Sequence, residues 1–299
     1  MFLAGYIINT SQMVRLTGIV PIAEPSERHH FLEQWTPHLP PEIQVILVHD
    51  RSFNETCGDN CPLRRYSGYI GVTTMCVPCV GPGGARNRAL DSGLIKGEYV
   101  AFWDSDDLPI LNNLRKELTR EHCADLIIGR YQTEDLNTGK IRLVKEPLGL
   151  FSLTLGVGIW RMLFRKGFID TIYFEHLFLG EDQLFFLDVL NRKPIILRTE
   201  TILYRYAKHE KSLVTKARDN TPALSAVLDV RPRELSHIGN LLREKLELST
   251  VRKGDLPILE KLNRLFLPRL ERGFFRALAL TSLVLTKICQ VSSNSKRDQ

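Results

Sequence analysis

"GPGGARNRALDSGLIKGEYVAFWDSDDLP", Gly81 to Pro109, decides how this chain is read. A glycine-rich turn opens it. A helix-like stretch, Ala85 to Leu94, comes next, and then an apolar strand, Glu98 to Trp103. Directly after the strand stand Asp104, Ser105, Asp106 and Asp107. Carboxylates this close repel one another unless positive charge lies among them. On a locally extended chain, Asp104 and Asp106 project to the same side. Such a pair suits a divalent cation, Mg2+ or Mn2+, that also takes phosphate oxygens. The competing reading is a helix cap, with Asp106 or Asp107 ahead of a helix that starts near Leu108 and Pro109. A cap uses one aspartate, and this stretch has three. Gly81, Gly83 and Gly84 permit a tight backbone at the helix start. Arg86 and Arg88 in its first turns suit phosphate oxygens, although a tight loop alone would explain the glycines.

The flanking sequence supplies the rest of the sheet. "TGIVPIA" (Thr17 to Ala23), "IQVILVH" (Ile43 to His49), "YIGVTTMCV", "ADLIIGRYQTED" and "PIILRTETILYRYAKH" (Pro194 to His209) read as strands. "SERHHFLEQWTPHL", with Ser26 as N-cap, and "GEDQLFFLDVLNRK", from Glu181, read as helices. This alternation predicts an α/β domain with a mainly parallel twisted sheet flanked by helices. Ligands of such sheets sit beyond the carboxyl ends of the strands, where Asp50 and Asp104 to Asp107 stand. From about Asp219 the texture becomes amphipathic and helical. The expected division is therefore a catalytic domain over 13–218 and a helical C-terminal region with a polar tail over 219–299.

The 299 residues are 43% hydrophobic and 25% charged, as in soluble globular proteins. A net charge of +6 favours anionic partners such as nucleotides, nucleic acid or acidic lipid, without choosing among them. Met1 to Gln12 lack the basic and apolar regions of a secretory signal. Ala277 to Thr286 is too short to span a bilayer. The expected compartment is the cytoplasm, where disulfides are rare. Four of the six cysteines, Cys57, Cys61, Cys76 and Cys79, spell C-x3-C and C-x2-C fourteen residues apart. That spacing fits a structural Zn2+, or else small buried apolar side chains.

Taken in order, these motifs resemble the family 2 glycosyltransferases, which have the GT-A fold. The quoted stretch is similar to the region around the family's aspartate motif. "IVPIAEPSERHHFLEQW" looks like its first strand and helix. "LVHDRS" stands where the family has Asp-Asp-Gly-Ser, with His49 and Arg51 as departures. "WRMLFRKGFI" looks like the acceptor-side segment, "LGEDQLFFLDVL" like the Glu-Asp motif, and "YRYAKHEKSL" like the late His/Ser element. Together they cover Thr17 to about Thr215. The resemblance implies an inverting, metal-dependent transferase that uses a nucleotide-sugar donor, a UDP-sugar above all. It implies Pro21, Glu24 and Asp50 on the nucleotide base side, and Arg86 at the base or diphosphate. Asp104 would contact the ribose, and Asp106 would bind the metal, Mn2+ or Mg2+. Asp182, beside Glu181, would be the catalytic base, and His209 would lie at the metal and diphosphate. Its acceptors are saccharides or lipid-linked saccharides of cell-surface polysaccharide or glycolipid synthesis.

The chemistry agrees with these roles. A departing nucleoside diphosphate develops negative charge that a cation and an arginine stabilise. An acceptor hydroxyl needs a carboxylate to take its proton. Glu181 and Asp182 would equally complement a helix dipole. A metal-dependent nucleotidyltransferase would share the aspartates, but not the Glu-Asp helix or the His/Ser element. A zinc-containing nucleic-acid binder would explain neither set of carboxylates, so no nucleic-acid partner is expected. Leu259, Leu262, Phe266 and Leu270, interleaved with Lys261, Arg264, Arg269, Arg272 and Arg276, form an amphipathic pattern. It suits either the cytoplasmic face of an inner membrane or packing against another surface.

Overall fold

The computed structural model describes residues 13–23, 31–51, 61–120, 123–144, 158–177 and 180–209. Glu24, Ser26, Cys57 and the whole C-terminal region lie outside the described residues. One nine-stranded sheet dominates. Its strands are β1 (Leu16–Ile22), β2 (Ile43–Asp50), β3 (Val72–Val77), β4 (Tyr99–Phe102) and β5 (Leu108–Pro109). β6 (Leu126–Asp135), β7 (Lys140–Leu143), β8 (Met162–Arg165) and β9 (Ile196–Lys208) complete it. The spatial order is β3-β2-β1-β4-β8-β6-β9-β5, with β7 on β6. β1 to β4 are parallel, and β6 and β9 run the same way as these four. Only β5, β7 and β8 oppose them, so the sheet is mainly parallel, as expected.

The central strands are apolar on both faces because helices cover both. Alternation divides the core in two. Ile19, Ile46, Val48, Val100 and Phe102 face helices α2 (Gly81–Asp91) and α5 (Glu181–Asn191). Val20, Val45, Leu47, Tyr99, Ala101 and Trp103 face the other side. There they meet Leu32 and Trp35 of the helical residues 31–35 (α1), and Leu114 and Leu118 of α3 (Leu111–Leu118). A short helix α4 (Lys166–Ile169) follows β8. Gly18 lets β1 lie against Trp103, since a Cβ there would fall 2.3 Å from the indole ring. Phe174 and Phe185 stack at 4.2 Å, and both meet Phe102 edge-on, which fixes α5 to the sheet.

Three local expectations are corrected. No helix starts at Leu108 and Pro109: those residues pair antiparallel with Arg205 and Tyr204 of β9, and the helix waits until Leu111. Neither Asp106 nor Asp107 is then its cap, because Ile110 holds that position. Residues 105 and 106 form a turn rather than an extended chain. Finally, α2 spans Gly81–Asp91, so the glycine-rich segment is itself helical and supplies close contacts instead of a separate loop. Among the described residues, no helix is long and apolar enough to cross a membrane.

Candidate active site

The carboxyl ends of β1, β2 and β4 open onto one rim, as parallel strands require. Pro21 stands two residues past the last β1–β4 pair, Ile19–Phe102, so no β4 neighbour needs its missing N–H. Asp50 ends β2, and its Oδ1 accepts the Val80 N–H at 2.8 Å, at the start of α2. α2 carries Arg86 into the rim, and the guanidinium is the positive charge that the aspartate cluster demands. It donates to Asp104 at 2.9 Å, Asp182 at 3.0 Å and Glu181 at 3.1 Å. Its carbon lies 5.2 Å from the centre of the Phe174 ring. Arg88 is exposed.

Two glycines make this convergence sterically feasible. Gly180 has φ +96° and turns the chain so that α5 begins with Glu181 and Asp182 toward Arg86. A Cβ on Gly83 would sit 3.0 Å from the Phe174 Cβ and 3.2 Å from the Glu181 Cγ. Only a bare backbone lets α2 and α5 approach so closely.

Each aspartate of the turn has its own partner. Asp104 binds Arg86, and its N–H donates to the Tyr204 hydroxyl at 3.0 Å. Asp107 is buried, and its Oδ1 accepts the Ala207 N–H at 2.7 Å. Asp106 meets His209, with Oδ2 and Nε2 2.8 Å apart. The β5–β9 pairing brings these groups together from opposite ends of a hundred-residue separation. Tyr204, Phe174 and the buried anchoring of Asp107 were not legible beforehand, because each depends on β9 or α5 folding back on the turn.

Electrostatically the site holds more negative charge than its arginine balances. Burial pushes the Asp104 carboxyl up to about 7, against the pull of Arg86 and with help from Asp182 and Asp106. Burial likewise takes Asp182 up to about 7, opposed by Arg86 and aided by Glu181. Glu181 is also raised, by burial first. Burial alone would lower Arg86, but Asp182, Asp104 and Glu181 hold it above its ordinary value. A divalent cation would offset this excess. Asp106 and His209 fit one: a carboxylate oxygen and an imidazole nitrogen converge from two segments. The mixed donor set favours a transition ion such as Mn2+ over Mg2+, whose shell is built from oxygens.

The four-cysteine zinc expectation changes. Among the described residues, Cys61 and Cys76 come together with His49, and Cys79 is exposed outside that group. The spacing suggested a C-x2-C pair, but β3 ends at Val77, so Cys79 is off the strand that carries Cys76.

No family model matches the chain. A glycosyltransferase of Haemophilus influenzae, itself uncharacterized, is 34% identical over 132 residues, 42% of this chain. The match spans 50% of that relative's length. Among solved structures, S. aureus TarS in complex with UDP-GlcNAc superposes with a TM-score of 0.57 at 20% identity. That likeness covers 87% of this chain and 75% of that TarS 1-349 chain. The mannosyltransferase PcManGT from Pyrobaculum calidifontis, in complex with GDP-Man and Mn2+, gives 0.51 at 15% identity. It covers 91% of this chain and 83% of that one. The fold is thus the GT-A fold of these nucleotide-sugar glycosyltransferases, as expected.

Proposed function

We propose that the chain is a metal-dependent, inverting glycosyltransferase that moves a sugar from a nucleoside-diphosphate sugar to an acceptor hydroxyl. The observation that carries this reading is the single rim where Asp106, His209, Asp104, Arg86, Glu181 and Asp182 converge. Asp106 and His209 would hold the cation. Bound there, a divalent ion supplies electrostatic stabilisation for the departing diphosphate. Pro21, Glu24 and Asp50 would border the nucleotide base, and Asp104 the ribose. Arg86 keeps Asp104 and Asp182 in place and contributes positive charge toward the diphosphate.

Asp182 acts as the base. Its carboxylate takes the acceptor hydroxyl proton while that oxygen attacks the anomeric carbon. One carbon–oxygen bond forms as the bond to the diphosphate breaks, and the electron pair leaves with the phosphate. Attack from the face opposite the leaving group inverts the configuration. Glu181, bound to the same arginine, positions Asp182.

The similar structures were solved with UDP-GlcNAc and GDP-Man, so the donor panel must contain both bases. A UDP-sugar is the first choice because of the resemblance. The setting we favour is cell-surface polysaccharide or glycolipid synthesis at the cytoplasmic face of the inner membrane, with a saccharide or lipid-linked acceptor. The amphipathic sequence pattern near residues 259–276, outside the described residues, supports membrane contact. The test is turnover of purified full-length chain against a nucleotide-sugar panel, with Mn2+, Mg2+ or chelator, followed as nucleoside diphosphate release. Release from one donor class that requires the cation supports the proposal. Release equally fast in chelator, or from no donor by folded protein, overturns it.

A further inference from the structure

A second cluster of ligating side chains lies at the end of β2, on the other face from Asp50. The parallel register pairs His49 with Cys76, so their side chains emerge side by side on one face. Cys61 immediately precedes a 3-10 turn (Pro62–Tyr66) and reaches the same point. Its Sγ is 3.1 Å from the Cys76 Sγ and 3.8 Å from the His49 Nδ1. All three donor atoms lie within 4.8 Å of one another. His49 is buried, and both cysteines are partly buried.

We propose that His49, Cys61 and Cys76 bind one divalent ion of the zinc class, separate from the cation of the active site. Tetrahedral Zn2+, with bonds of about 2.3 Å to sulfur and 2.0–2.1 Å to nitrogen, sets two sulfurs roughly 3.8 Å apart and a sulfur and a nitrogen roughly 3.5 Å apart. The observed 3.1 Å and 3.8 Å lie within several tenths of an ångström of those separations, a shift that rotation of the cysteine side chains accommodates. The ligand types also discriminate: thiolate and imidazole select zinc, whereas carboxylate oxygens serve Mg2+ and Mn2+. Two thiolates neutralise the ion, so the site carries no net charge into the apolar layer beneath it. Among the described residues three donors meet there, which leaves one tetrahedral position for water or a further group. The ion ties the 3-10 turn and β3 to the residue next to Asp50. It therefore braces the rim from behind.

The test uses reduced full-length protein and the metals alone. Protein purified without added metal should contain about one zinc per chain, and Co2+ exchanged into it should show thiolate-to-metal charge transfer. Cys61→Ser and Cys76→Ser should abolish the charge-transfer band, and His49→Ala should weaken Co2+ affinity at least about tenfold. Cys79→Ser and Asp106→Asn should retain full zinc content, which separates this site from the cation site of the rim. The wild-type cobalt spectrum needs no variant, so misfolded mutants cannot decide the outcome. Absence of thiolate charge transfer in reduced wild-type protein overturns the proposal. So does a Cys61–Cys76 disulfide in protein isolated under reducing conditions, or zinc kept by Cys76→Ser.

Discussion

Replacing Arg86 with glutamine should expose the electrostatic design of the rim. Arg86 is 3% exposed and binds three carboxylates. Removing one partner of a buried ion pair costs about 3–5 kcal/mol, because the other charge remains uncompensated. Here the cost is discounted: Asp104 and Asp182 keep 34% and 28% of their side chains exposed, so water takes over part of the role. Glu181, at 9%, has little such help. The expected loss is about 3 kcal/mol at pH 8.

The sign with pH follows from linkage. In the folded wild type, Asp104 and Asp182 sit near 7, above the unfolded carboxyl range. Native protein therefore keeps protons that the unfolded chain has released, and stability falls as pH rises through that window. Without Arg86 these groups move higher still. At pH 5 they carry protons and need no counter-ion, so the penalty should shrink to about 1 kcal/mol. Urea unfolding of both proteins at pH 5 and pH 8 measures this. A loss below about 1 kcal/mol at pH 8, or an equal loss at both pH values, would mean that Arg86 does not compensate the charge of these carboxylates.

Asp182→Asn should bind donor nucleotide normally and lose transfer by about 10²–10⁴, and a loss under about tenfold would remove it as the base. Because burial raises Asp182 to about 7, its basic form is present above that pH. The kcat/KM of wild type should fall about tenfold per pH unit below 7 and level off above it, whereas a flat profile argues for another base. Asp106→Asn should abolish most turnover with an unchanged circular dichroism spectrum, and near-normal rates in metal-limited buffer would contradict the ligand assignment. Gly18→Ala drives a methyl into Trp103, and thermal unfolding should show a loss of about 2 kcal/mol or more. Wild-type stability there would mean that the β1–Trp103 contact yields freely.

Much of the fold was legible because strong periodicity survives tertiary context. β1, β2 and β4 are apolar runs, and α5 begins at Glu181 as its Gly-Glu-Asp signal indicates. The misreading of the turn after β4 has a long-range cause. Leu108 and Pro109 read as a helix start, but β9, about a hundred residues later, offers them a strand partner. The same long-range pairing seats His209 on Asp106, which only the resemblance anticipated. Arg86 was legible as a cation near phosphate chemistry. Its three-carboxylate grip was not, since it requires α5 to pack against the bare backbone of Gly83. His49 read as a departure from a motif until strand register set it beside Cys76.

The proposed activity rests on Asp106 and His209 holding a cation that binds the donor diphosphate. Calorimetric titration of UDP and of GDP into full-length protein, with and without Mn2+, tests it most directly. One nucleotide should bind at least about tenfold tighter with Mn2+, and Asp106→Asn and His209→Ala should each erase that gain. Binding of the nucleotide that ignores Mn2+, or a Mn2+ effect that survives both substitutions, would contradict it.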